Sequence, residues 1–208
     1  MKKKVLIILL ISLFYNTNLT AQKKEIQKEI DSITSLIKNC NRCYYEYFER
    51  AKLYIENKRK VEGMKDLNQV IRKEKEFYNN RIKDSRLTTY YNERGKLKLD
   101  LKDYRGGILD FDKAVDVANS ISSVWVEVFF NRAFCKSKIG KYNEAIEDYE
   151  KVFKHSYNDD YTNRMTHYNI GLLKIKVLRI EEGCLNLSKA GELGMTDAYK
   201  VISKHCNK

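Results

Sequence analysis

Phe129-Phe130-Asn131-Arg132-Ala133 is followed, twelve residues after its alanine, by Ala145, then by Tyr149 and Val152 at steps of four and three. Small and large apolar residues recurring at those steps mark one face of a helix. The run Tyr142-Asn143-Glu144-Ala145-Ile146-Glu147-Asp148-Tyr149, entered through Gly140-Lys141, reads as a second helix folding back on the first. Small residues on both helices let the backbones approach, while the opening ring and the later large residue fill the space between them.

The same frame occurs three more times: Tyr47-Phe48-Glu49-Arg50-Ala51, Tyr91-Asn92-Glu93-Arg94-Gly95 and His167-Tyr168-Asn169-Ile170-Gly171. Twelve residues after each small residue comes another (Gly63, Gly107, Gly183), then Leu67, Phe111 or Leu187, then Val70, Ala114 or Ala190. The four starts are 44, 38 and 38 residues apart. Repetition at such a period means stacked supersecondary units that share a continuous core.

This frame resembles the tetratricopeptide repeat, with its aromatic-x-x-Leu-Gly-x-x-Tyr and later Ala-x-x-x-Phe pattern, over about 44–190. The chain departs from that family in lacking proline, in placing glycine at 63, 107 and 183, and in its longer period. The resemblance implies an all-α, right-handed α-solenoid of antiparallel helix pairs. It also implies a concave groove, lined by the first helix of each pair, that holds a peptide or protein partner. Carried over by position, Phe48, Asn92, Phe130 and Tyr168 face that groove, with Lys52, Lys96, Asn131 and Asn169 beside them. Aromatics there would anchor apolar groups, and Lys and Asn would grip a backbone or a carboxylate.

Inside the frame, Arg50, Arg94 and Arg132 are each followed sixteen residues later by an acid, Asp66, Asp110 and Asp148. The fourth copy has Ile170 and Asn186 at those places, so the charge and its partner disappear together. Paired loss is what an Arg–Asp bridge between the helices of one hairpin requires, since one orphaned buried charge is expensive. A row of arginines binding anions would make no such demand.

Two helices flank the array. Glu25 to Lys38 carries Ile26, Ile30, Ile33 and Ile37 on one stripe, and Asp197 to His205 carries Ala198, Val201 and Ile202 with lysines opposite, as a solvating cap would. The sum is ten helices and no strand. Ahead of them, Lys2, Lys3 and Lys4, an apolar run from Val5 to Tyr15 and Leu19-Thr20-Ala21 have the layout of a secretory signal peptide cleaved after Ala21. The domains expected are therefore a leader (1–21), an N-terminal helix and connector (22–43), four repeats (44–190) and a C-terminal cap (191–208). The apolar run spans 11 residues against the ~20 of a membrane-crossing helix, so no transmembrane span is expected in the mature chain.

The five cysteines then belong in an oxidising compartment, the periplasm or the exterior. Cys184 and Cys206 would be brought level by a hairpin around Gly191-Glu192-Leu193-Gly194, a disulfide joining the cap to the last repeat. Cys40-Asn41-Arg42-Cys43 has the spacing of a thiol–disulfide oxidoreductase motif, but a helix precedes it where that motif needs a strand. A local disulfide or separate pairing is the other reading, and Cys135 is left as an apolar filler. His155, His167 and His205 are not spaced as metal ligands, and no phosphate loop exists, so neither enzyme activity, metal nor cofactor is expected. The net charge of +12 falls to +9 once 1–21, with three lysines and no acid, is removed. An exported basic chain meets anionic envelope surfaces or acidic partners rather than nucleic acid. The leading function is a peptide- or protein-binding module using its groove; the alternatives are a structural envelope component held by its basic surface and, behind it, a thiol–disulfide oxidoreductase using Cys40 and Cys43.

Overall fold

The computed structural model describes the chain apart from residues 1, 41–42, 78–84, 119–123, 156–158 and 207–208; side chains are described from Thr20 onward, except those of 85, 154 and 155. Among the described residues there are ten helices and no strand: α1 (Lys2–Lys38), α2 (Tyr44–Glu56), α3 (Lys60–Phe77), α4 (Ser85–Asp100), α5 (Tyr104–Val117), α6 (Val124–Lys138), α7 (Tyr142–His155), α8 (Asp160–Lys176), α9 (Ile180–Glu192) and α10 (Asp197–His205). The helix expected over Glu25–Lys38 is the later part of α1. Side chains 1–19 of the expected leader lie outside the described residues. The chain divides into two compact units, Met1–Tyr78 and Asn79–Lys208.

In the first unit α2 and α3 form one antiparallel hairpin, and α1 packs on α2. Ala51 and Leu67, at the small and large positions of the frame, are both fully buried, and Ile30 of the α1 stripe is buried with them. In the second unit α4–α5, α6–α7 and α8–α9 are three hairpins, each helix packed on the next, and α10 packs on α9. Phe111, Tyr149 and Leu187 fill the large positions at 0%, 1% and 0% exposure, so all three hairpins are built on one residue frame. Each such side chain contributes roughly 1.5–3 kcal/mol by leaving water.

Every hairpin turns in the same way without proline. One residue takes a positive φ, Lys58 (60°), Lys102 (62°), Gly140 (82°) or Leu178 (65°). The next backbone N–H then reaches back five residues, as from Arg59 to the Tyr54 carbonyl (2.7 Å) and from Arg179 to that of Lys174 (2.8 Å). This closure satisfies carbonyls that a helix end leaves unpaired. Three of the four turns carry a side chain in the left-handed region, at a cost of about 1 kcal/mol each.

The glycines of the last hairpin mark the closest backbone approach. A Cβ on Gly171 would lie 2.9 Å from the Gly183 carbonyl oxygen, and one on Gly183 would lie 2.9 Å from that of Gly171. Past this hairpin, α10 buries Ala198 against Leu187 and Ala190, with Met195, Val201 and Ile202 around them. Cys184 and Cys206 are joined as a disulfide with their Cα atoms 5.8 Å apart.

Candidate binding surface

The three arginines of the frame each meet an aspartate of the same hairpin through two hydrogen bonds. Arg50 donates from Nε and Nη2 to Asp66 at 2.7 and 2.8 Å, Arg94 to Asp110 at 2.9 and 2.6 Å, and Arg132 to Asp148 at 2.8 and 2.8 Å. The planar guanidinium matches the carboxylate edge, a geometry that lysine cannot copy. A third donor reaches the preceding helix: Arg50 Nη1 to Thr34 Oγ1 of α1 (3.0 Å), and Arg132 Nη1 to Asp112 of α5 (2.7 Å). Lys98 and Lys136, one turn further on, add ion pairs of 2.8 and 2.7 Å to Asp110 and Asp148. Burial works to raise the Asp148 pKa, but the bonds from Arg132 and Lys136 outweigh it and hold the carboxyl below its ordinary range.

The fourth hairpin uses a neutral arrangement. His167, at the ring position, brings Nδ1 to 3.2 Å from Oδ1 of Asn186, and the Nδ2 of that amide donates to the Glu182 carbonyl (2.9 Å). Burial depresses the His167 pKa, with Lys189 adding to the effect and the Asn186 bond opposing it. Lys174, without an aspartate to meet, pairs instead with Glu182 at 3.1 Å. Glu182 is drawn down to about 2 by its hydrogen bonds from Arg179 and Lys174.

Cys40 and Cys43 form a second disulfide, with Cα atoms 5.7 Å apart, and Cys43 is buried between α1 and α2. A helix, not a strand, leads into the pair, so the surroundings of a thioredoxin-like nucleophile are missing. Cys135 is buried and free, and burial pushes its thiol up to about 12. Among the described residues no group of three or more His, Cys, Asp or Glu is arranged to hold a metal.

The eight residues expected in the groove fare differently. Phe48 is 8% exposed, with the Lys52 ammonium 5.2 Å above its ring, and Lys52 also pairs with Glu49 at 2.8 Å. Asn92 is 1% exposed, which departs from the expectation of a side chain open to a partner. The cause lies on α6: Glu127 accepts from Asn92 Nδ2 (2.8 Å) and pairs with Lys96 (2.9 Å), covering both. Lys96 has Glu93 as a second partner at 2.8 Å. Burial alone would lower the Lys96 pKa, but these two carboxylates raise it. Tyr168 is half-buried against the Leu187–Ala190–Ala198 cluster, and Asn131 is half-buried on α6.

Phe130 and Asn169 border open space. Phe130, edge-on to Tyr149 at 5.2 Å, joins Val126, Glu127, Tyr161, Thr162 and Met165 around a cleft of about 220 Å³ between α6 and α8. Two turns along the same helices, Asn169 joins Phe134, Ser137, Lys138, Leu172 and Lys176 around a second cleft of about 180 Å³. Sequence reasoning passed over most of this lining. The signal was available: Val126, Phe134 and Lys138 lie at four-residue steps from Phe130, and Lys138 and Lys176 are 38 residues apart, one repeat spacing.

The family profile of the tetratricopeptide repeat matches residues 126–156, which take in most of α6 and α7. Among solved structures, a crystal structure of MamA is similar with a TM-score of 0.68 at 15% identity, over 86% of this chain and 94% of that one. YrrB, described as a TPR protein with an unusual peptide-binding site, gives 0.69 at 14% identity over 89% and 88%. The C-terminal part of a TPR repeat-containing protein from Cytophaga hutchinsonii gives 0.63 at 17% identity over 82% and 60%. No curated protein sequence matches the chain. At these identities the likeness is one of fold, and the fold is all-α and TPR-like, built of antiparallel helix pairs.

Proposed function

We propose that this protein is an exported, non-catalytic binding scaffold that seats an extended segment of a partner protein along the first helices of its last two hairpins. The supporting observation is the apolar cleft between α6 and α8, where Tyr161 is 61% exposed beside Met165 and Phe130. Exposed aromatics lining a preformed concavity are what a hot spot requires, and a rigid helical frame lowers the ordering cost of binding. YrrB, of the same fold, is described as binding peptide. Export rests on the basic and apolar N-terminus and fits the two disulfides.

Affinity capture from an envelope extract, with wild type and a Tyr161→Ala/Met165→Ala variant as baits, tests the groove. A protein held by wild type and lost by a variant of unchanged helix content supports it. Identical retention by both, released by salt, would assign binding to the basic surface instead. Protein sequencing of exported material is expected to begin at Gln22.

A further inference from the structure

The second unit has six lysines on its first helices: Lys96 and Lys98 on α4, Lys136 and Lys138 on α6, Lys174 and Lys176 on α8. Four of them hold carboxylates, at 2.7 to 3.1 Å. Lys138 and Lys176 have no carboxylate partner among the described residues. Their ammonium groups rest over rings, Lys138 at 4.7 Å from the Phe134 centroid and Lys176 at 5.1 Å from that of Tyr142. Both are exposed, and both line the same cleft, together with the Asn169 amide and the Ser137 hydroxyl. Both stand in the last turns of their helices, beside Lys136 and Lys174, where a cation offsets the helix dipole and stays free to meet a further anion. The neighbouring Asn92–Lys96 pair is different, because Glu127 fills it with the protein's own carboxylate.

We infer that the α6–α8 groove takes an extended segment with one large apolar residue and one acidic side chain, the first in the Phe130–Tyr161–Met165 cleft and the second between Lys138 and Lys176. This rests on the groove reading proposed above. Phe130 and Lys138 are eight residues apart on one helix, roughly 12 Å at 1.5 Å per residue. An extended chain covers that distance in about four residues. The acid therefore lies about four positions from the apolar anchor. The excess of basic over acidic residues steers such a partner inward.

The test is selection of random decamers, displayed as internal fusions, against the purified full chain. Selected sequences are then resynthesised as fluorescent peptide amides, so that a side-chain acid is the only carboxylate. The expected peptides pair a large apolar residue with Asp or Glu about four positions away. Their affinity is expected to fall about tenfold in Lys138→Gln/Lys176→Gln, and equally when the peptide's acid becomes an amide, with the thermal melt unchanged. Peptides without an acid, or indifferent to the lysine variant, overturn the acidic-segment inference. If such peptides are still lost from Tyr161→Ala/Met165→Ala, the groove reading survives alone. Selected peptides insensitive to both variants, or no selection at all, overturn both.

Discussion

At the scale of single residues, the aspartates of the frame are the most consequential side chains. Asp148 is 1% exposed and serves Arg132, Lys136 and Lys151 together, so Asp148→Ala leaves three cations without their buried carboxylate. Breaking a buried pair from one side costs about 3–5 kcal/mol, whereas removing both members costs less. Urea unfolding is therefore expected to place Asp148→Ala well below Arg132→Ile/Asp148→Asn, which copies the residues that the fourth hairpin uses. His167 supplies a pH dependence. Burial sets its folded pKa below the ordinary value near 6.5, so its neutral form is the one folding favours. The stability it contributes is complete above about pH 6.5 and is lost as the pH falls through the lower folded value. Thermal melts between pH 7.5 and 5 should show this decline, and His167→Gln should reduce it.

At the scale of elements, close approach of paired helices sets the tolerance. In Gly171→Ala the new methyl would sit 2.7 Å from Leu187 Cγ and 2.9 Å from the Gly183 carbonyl oxygen. Overpacking of about 1–3 kcal/mol should exceed the ~1 kcal/mol that alanine gains in a helix. A lower urea midpoint is the expected result. The helices were legible because their small and large positions repeat in one register: Ala51, Leu67, Phe111 and Leu187 are all fully buried. The sixteen-residue offset likewise names three Arg and three Asp that lie within bonding distance in the structure. What the sequence left unread was the surface. Whether Asn92 is open depends on the length of a side chain 35 residues away, Glu127, and a motif aligned on one helix does not carry that information. Tyr161 and Met165 stand six and two residues before His167, the ring of their own copy, and so outside the five-residue motif.

At the scale of the whole molecule, the disulfide Cys184–Cys206 ties the last helix to the array across a sequence separation of 22. Closing a loop of that size is worth about 3 kcal/mol. Cys184→Ser/Cys206→Ser is expected to lose about that much in urea unfolding, with faster amide exchange in α10 than in α9. The arginine–aspartate pairs have a different consequence, for descent rather than stability. The two-bond contact of each pair lies within its own hairpin, while the third donors of Arg50 and Arg132 reach the preceding helix, so a copy can be duplicated or deleted with each buried aspartate keeping its arginine. The fourth hairpin, with its isoleucine and asparagine, has given up that currency and adjoins the capping helix. A lineage built this way can lengthen in the middle, by charged copies, while keeping one neutral copy as its terminus.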